Sequence, residues 1–229
     1  MFQREIPIIK EEGLKKLQDS NVLLFGLGGV GGILAETLVR CGIGKITIVD
    51  FDIVNESNKN RQIIALNSTI GMKKTEALKN RLLDINENLN IETQDLFIDA
   101  NTINEFDFTK YNYVIDAVDN VTAKILIIEK AKQNNVKVIS SMGTGNKIDP
   151  SKFQIKDISK TTMCPLAKVM RLELRKRNIK DVKVLFSIEE PIKSDLEENG
   201  KLVVSSIMFN VAVAGIMIAR EVILDTIND

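Results

Sequence analysis

Val22-Leu-Leu-Phe-Gly-Leu-Gly-Gly-Val-Gly31 decides how the rest of the chain is read. Four apolar residues run into Gly26-x-Gly28-Gly29-x-Gly31, and a helical pattern follows. That succession predicts a strand, a tight glycine turn and a helix N-terminus. Glycines let the backbone approach a phosphate, and the free N–H groups and dipole of the helix attract it. A second apolar run, Lys45–Asp50, closes on a carboxylate about 20 residues further on, where a nucleotide fold places an acceptor for ribose hydroxyls. Glycines that only serve close strand–helix packing would produce the same turn; Asp50 at the end of the next strand favours the nucleotide.

Outward from this stretch, apolar runs alternate with helical periodicity. Helices are predicted over Glu11–Asp19, Gly29–Cys41, Met72–Ile85 and Val121–Gln133. Strands are predicted over Val22–Phe25, Lys45–Asp50, Ile91–Gln94, Tyr113–Asp119 and Val136–Ser140. Beyond residue 145, Phe153–Ile158 and Val182–Phe186 read as strands around a helix with Leu166, Val169, Met170 and Leu174 as its apolar stripe. Lys168, Arg171 and Arg175 fall on its other face. The expectation is an α/β fold: a Rossmann-like, mostly parallel sheet with helices on both faces, extended by antiparallel strands in the C-terminal half. Glu189–Lys201 reads as a polar, mobile loop with a turn at Asn199-Gly200.

Composition narrows the chemistry. The 229 residues, 44% hydrophobic, suit one α/β domain. Histidine is absent, which removes histidine bases, triads and metal sites together. The two cysteines, Cys41 and Cys164, form no CxxC, so neither a structural zinc site nor a disulfide framework is expected. Cys164 precedes a proline near a helix start, where a thiol can become reactive, though a helix-start residue without chemical duty is the simpler reading. Formal net charge is zero, but residues 147–187 hold 11 Lys/Arg against 4 Asp/Glu. The N-terminus lacks an apolar signal region, so the expected compartment is the cytoplasm. Leu202–Ala219 is 18 residues without a charge. It reads as a buried strand, Leu202–Ile207, followed by a core or dimer-facing helix, with a peripheral membrane contact left open.

The loop after Asp50 argues against a nicotinamide enzyme. Asp52, Asn58, Arg61, Gln62 and then Lys74 follow at the carboxyl edge of the predicted sheet. Cleavage of a triphosphate concentrates charge on non-bridging oxygens, which arginine, lysine and a metal neutralise. Arg61 can fork across two phosphate oxygens, Lys74 supplies a point charge, and Asp119 past the end of a strand is placed to hold Mg²⁺. Each also has a plain reading: a surface ion pair, a solvated helix residue and a helix N-cap.

Gly-x-Gly-Gly-x-Gly, Asp50-x-Asp52, Asn58-x-x-Arg61-Gln62, Gly71-x-x-Lys74 and Asp116-x-x-Asp119-Asn120 resemble, in order and spacing, the adenylating domain shared by ubiquitin-activating enzymes, ThiF and MoeB. The resemblance implies one domain over 1–229, with 1–145 binding ATP and 146–229 serving substrate and dimer contacts. It implies ATP over Gly26, Gly28, Gly29 and Gly31, the ribose on Asp50, phosphates at Asn58, Arg61 and Lys74, and Mg²⁺ on Asp119. Arg4 stands where the family often has an arginine reaching into a partner subunit, which implies a homodimer. Asn58-Lys-Asn-Arg-Gln-Ile, Met142-Gly-Thr-Gly-Asn-Lys-Ile-Asp-Pro150 and Lys160-Thr-Thr-Met-Cys-Pro-Leu166 are similar to the branch of tRNA threonylcarbamoyladenosine dehydratases. That implies an acid in the anticodon arm of tRNA as substrate, gripped by Lys168, Arg171, Arg175, Lys176 and Arg177. Lys59 departs from the small residue common in relatives, and is expected to add charge beside the phosphates. Adenylation of a ubiquitin-like or sulfur-carrier protein is the alternative, and a sulfur-relay partner stays open. A nicotinamide oxidoreductase and a non-enzymatic nucleotide adaptor are further rivals, separated by which nucleotide binds and whether pyrophosphate leaves.

Overall fold

The computed structural model describes residues 1–194, 197–198 and 201–229. The helices are α1 (Ile6–Asp19), α2 (Gly29–Arg40), α3 (Lys74–Ile85), α4 (Val121–Gln133), α5 (Pro165–Lys176) and α6 (Met208–Ile227). The strands of the main sheet are β1 (Asn21–Phe25), β2 (Lys45–Val49), β3 (Asn90–Gln94), β4 (Tyr113–Asp116), β5 (Lys137–Ser141), β6 (Phe153–Asp157) and β7 (Lys183–Ser187). They lie in the order β3-β2-β1-β4-β5-β7-β6, parallel except for the β6–β7 pair. Two short strands, β8 (Glu197–Glu198) and β9 (Lys201–Leu202), pair antiparallel apart from this sheet. The expected Asn199-Gly200 turn lies outside the described residues.

Alternation along the strands divides the core. Val22 and Leu24 pack with α2, α3 and α6, while Leu23 and Phe25 pack with α4 and α5. This is the three-layer α/β architecture that the sequence implied. β1 connects to β2 on one side and lies against β4 on the other, so the chain order reverses at β1. Open sheets bind ligands at the carboxyl ends of strands beside such a point.

Several boundaries move. α1 begins at Ile6 and contains a kink at Lys10, whose φ is +62°. β4 ends at Asp116 rather than Asp119, because the Val118 N–H turns back to donate to Asp116 Oδ1 at 3.1 Å. The strand expected over Leu202–Ile207 is confined to Leu202, and residues 203–207 have no strand partner. The helix beyond them packs as a core element, with Val211, Ala214, Ile218 and Val222 buried. Among the described residues no helix is long and apolar enough to cross a membrane. Val169 leaves the predicted stripe of α5: it is exposed, and Ala167 joins Met170 and Leu174 in the buried face.

Polar ties lock the layers together. Tyr113 Oη donates to Asp225 Oδ2 at 2.8 Å, and Lys183 donates to the same carboxylate, fastening the end of α6 to β4 and β7. Glu36 on α2 is buried and accepts from Arg40 at 2.8 Å and from Arg81 of α3 at 2.6 Å. Burial pushes the Glu36 carboxyl up, but Arg81 and Arg40 outweigh it and hold the group below its ordinary value. A depressed folded-state value stabilises above the ordinary glutamate value of 4.5 and is lost as pH falls. Glu36→Gln is therefore expected to destabilise at neutral pH, with the gap from wild type closing as pH drops below that value. Urea unfolding at several pH values checks this, and a gap that widens in acid would contradict it.

Candidate active site

A cleft of about 790 Å³ opens at the carboxyl ends of β1, β2, β4 and β5. Gly26, Gly28 and Gly29 line it after β1, Asp50 and Asp52 after β2, Asp119 and Asn120 after β4, and Ser141–Gly145 after β5. Asn58, Arg61, Gln62 and Lys74 complete one wall, and Leu166, Val204, Ser206 and Val211 the other. The first turns of α2, α3, α4, α5 and α6 all contribute lining residues. The positive ends of their dipoles make this rim attractive to anions.

The glycine turn is held from behind. A Cβ on Gly31 would lie 1.8 Å from the Gly26 carbonyl oxygen, so only glycine allows α2 to start this close to β1. Gly31 does not line the cleft, unlike the other three glycines of the motif. Asp50 is buried; its Oδ2 accepts from the Leu27 N–H at 2.6 Å and its Oδ1 from the Asp52 N–H at 2.9 Å. It thus braces the turn, while each oxygen keeps a second lone pair for a hydroxyl. Burial raises the Asp50 carboxyl above its ordinary value, against the opposing pull of the Lys74 charge and the two backbone donors.

Lys74, at the start of α3, is buried along its stem and places Nζ 2.7 Å from Asp52 Oδ2. Arg61 donates to the Ser57 carbonyl at 2.8 Å and to Asn60 Oδ1 at 3.0 Å, which orients its guanidinium. Asn58 is buried and uses its Oδ1 to accept from the Asn55 N–H at 3.1 Å, so it shapes the loop. Gln62, also buried, keeps Oε1 without a hydrogen-bond partner. Lys59 does not join the cleft: its Nζ binds Glu56 Oε1 and Asn67 Oδ1, so the charge expected beside the phosphates points elsewhere. The N-cap of α4 is Asn120, whose Oδ1 accepts from the Ala123 N–H at 3.0 Å. Asp119 is thereby released from capping and stands exposed on the cleft rim.

Beneath that rim lies a group the sequence reading did not single out. Lys124 Nζ donates to Asp116 Oδ2 at 3.0 Å and to the Ser141 carbonyl at 2.6 Å, and Ser140 Oγ donates to the same Asp116 oxygen at 2.5 Å. Lys124 and Asp116 are both fully buried. The pair ties the ends of β4 and β5, and so fixes the two turns carrying Asp119 and Gly143. A lysine on the apolar face of α4, between Val121 and Ile128, was the signal in the sequence. Lys147, also buried, donates to the Gly143 carbonyl at 2.7 Å behind the same turn, and burial holds its amine below the ordinary value. Cys164 is buried as the N-cap of α5, with no side-chain capping bond. Phe51 and Phe97, exposed and edge-to-face at 5.0 Å, form an apolar border of the cleft.

The remaining predicted residues lie outside the cleft. Arg4 is exposed near the C-terminal end of α2, where Phe2 approaches Gly42. A 12-residue helix, ~18 Å, separates it from the glycine turn of its own chain. Lys168, Arg175, Lys176 and Arg177 are exposed on and after α5. Lys176 and Arg177 pair with Glu173 at 2.6 and 2.8 Å, while Arg171 is turned inward to the Thr161 carbonyl at 2.8 Å. Among the described residues no cluster of three or more acidic or thiol side chains is arranged to hold a metal.

The chain is similar to known proteins along nearly its whole length. The model of the ThiF family matches residues 2–224. A tRNA threonylcarbamoyladenosine dehydratase of Bacillus subtilis is 40% identical over all of this chain and 95% of its own length. One of Escherichia coli is 36% identical over 72% of this chain and 62% of its own length. The crystal structure of E. coli TcdA in complex with ATP superposes with a TM-score of 0.87 at 29% identity, covering 98% of this chain and 93% of that one.

Proposed function

This chain is a member of the ThiF family, and on that premise we propose that it is an ATP-dependent dehydratase of threonylcarbamoyladenosine in tRNA. The observation that carries the reading is one cleft in which Arg61, Lys74 and Asp119 meet Gly28 where the strand order reverses. Its volume of about 790 Å³ suits a nucleoside triphosphate, and its lining extends from Asp119 to Thr144 and Leu166, where a second substrate would sit.

In the first step a carboxylate oxygen of the substrate attacks the α-phosphorus of ATP, and the bond to pyrophosphate breaks. Lys74 and Arg61 take up the negative charge that grows on the phosphate oxygens, aided by the helix N-termini around them. Asp50 accepts from the ribose and Gln62 Oε1 from a nearby donor, which fixes the nucleotide for in-line attack. Asp119 is an exposed single carboxylate, a donor set that suits Mg²⁺ completing its shell with phosphate and water. Held by Asp119, Mg²⁺ would supply charge neutralisation for the triphosphate. In the second step a nucleophile within the same nucleoside attacks the activated carbonyl carbon. AMP leaves with the carboxylate oxygen, so the ring closes with net loss of water. Proximity carries that closure without a protein nucleophile, in keeping with a chain that has no histidine.

The α5 face binds the anticodon arm. Lys168 and Arg175 reach phosphates directly, whereas Lys176 and Arg177 first exchange Glu173 for them. Arg175→Ala and Lys168→Ala are each expected to lower the slope of log affinity against log salt by about one. Titration of tRNA at several salt concentrations measures it, and an unchanged slope would remove α5 from the interface. The active unit is a homodimer in which Arg4 serves the cleft of the partner, since its own lies a helix length away. Incubation of protein, ATP and threonylcarbamoyladenosine-bearing tRNA, followed by nucleoside mass spectrometry, tests the reading. It predicts a nucleoside lighter by one water; unchanged nucleoside, with AMP appearing only in the presence of a carrier protein, would overturn it.

A further inference from the structure

Resting on the dehydratase reading, we propose that Asn146 and Asn60 are positioning residues that hold the Val204–Ser206 backbone as a roof over the cleft, so that the activated acid cyclises instead of meeting water. An acyl-adenylate reacts with water as well as with its internal nucleophile, and a site that closes a ring by loss of water must keep bulk water out.

Val204 and Ser206 line the cleft, yet residues 203–207 belong to no strand and no helix. The segment is held from its two sides. On one, the Asn146 N–H donates to the Ser205 carbonyl at 2.7 Å, and Asn146 Oδ1 accepts from the Ser205 N–H at 2.7 Å. On the other, Asn60 Nδ2 donates to the Ser206 carbonyl at 3.1 Å. The roof therefore runs from the turn after β5 to the loop that carries Arg61. Its underside is seated on Gly145: a Cβ there would lie 2.2 Å from Val204 Cγ1. Val204 is otherwise 69% exposed, so burial contributes little to holding it. With no strand or helix ladder to hold it, the segment depends on such anchors for its place. Asn146 suits the post, because its φ of +56° is a left-handed conformation that asparagine tolerates. Its carbonyl also accepts from the Ile192 N–H at 2.7 Å, which steadies the turn itself.

The test compares wild type with Asn146→Gly, which keeps the left-handed backbone and deletes only the side-chain acceptor. The readout is the number of AMP molecules formed per cyclic nucleoside in H₂¹⁸O, together with ¹⁸O in the recovered threonylcarbamoyladenosine carboxylate, where hydrolysis of the adenylate deposits it. Loss of one such hydrogen bond is expected to raise the ratio roughly three- to ten-fold, and ¹⁸O above the wild-type level. Asn146→Asp retains the acceptor and returns the ratio to that of wild type. Asn60→Asp keeps the acceptor that faces Arg61 but removes the donor to Ser206. It raises the ratio independently, and decides the matter should Asn146→Gly not fold. A role confined to loop stability would slow AMP and cyclic product together; unchanged ratios in the Asn146→Gly and Asn60→Asp variants would overturn the proposal while leaving the dehydratase reading intact. A wild-type protein that forms no cyclic nucleoside would overturn both.

Discussion

Lys74→Met, which keeps the buried stem, is expected to slow AMP formation by roughly 10²- to 10³-fold at saturating ATP with only a small fall in melting temperature. Among the described residues Lys74 is the one lysine lining the cleft; its stem is buried and its Nζ is aimed by a partner, Asp52 at 2.7 Å. A charge placed in advance costs no reorganisation as the phosphate oxygens become more negative, so its loss falls on the transition state. The partner it leaves, Asp52, has a side chain 45% exposed, and water takes over its oxygens. Stability is therefore largely spared. Lys74→Arg does not restore the rate, because a planar fork does not occupy the slot of a point charge. Single-turnover AMP formation with a parallel melting curve measures both effects; a loss under threefold would show that Lys74 does not touch the reaction.

The second large effect falls on stability. Lys124→Met leaves Asp116 fully buried with its counter-charge gone, held only by Ser140 Oγ and the Val118 N–H. Removing one partner of a buried pair costs about 3–5 kcal/mol, a fall in melting temperature of roughly 10 °C for a chain of this size. The cost is the stranded carboxylate, so Lys124→Met combined with Asp116→Asn is expected to recover part of it. Activity follows a different course. The pair spans the ends of β4 and β5, and either variant loosens the turns that carry Asp119 and Gly143 even where the fold survives. Thermal unfolding of both variants decides this, and a fall of less than about 2 °C for Lys124→Met would contradict it.

Why some of this was readable in the sequence and some was not follows from distance along the chain. The glycine turn, the β/α alternation and the strand-end Asp50 are local patterns, set by period and by side-chain size, and they appear where the periodicity placed them. The insertion of β7 between β5 and β6 rests on pairing between distant segments, which periodicity does not encode. Residues 203–207 carry the apolar, β-branched composition of a strand but find no neighbouring strand, so they stay irregular. Lys59 adjoins Asn58 in sequence, yet the short 3-10 turn at Glu56–Asn58 sends it to Glu56 and Asn67, away from the cleft. Val169 matches the helical period of α5, but α5 packs along a narrower face. Asp116 stood in a motif and Lys124 on an apolar helical face, but their pairing needs α4 folded back against the end of β4, which the local pattern does not encode.

Nucleotidyl transfer to a carboxylate is the reaction proposed for this cleft. Threonylcarbamoyladenosine-bearing tRNA labelled with ¹⁸O in the side-chain carboxylate tests it in one measurement, the mass of the released AMP. Attack of the carboxylate on the α-phosphorus predicts one ¹⁸O carried into AMP for each labelled oxygen that attacks. Unlabelled AMP accompanying cyclic product, or ADP and phosphate as the nucleotide products, would contradict it.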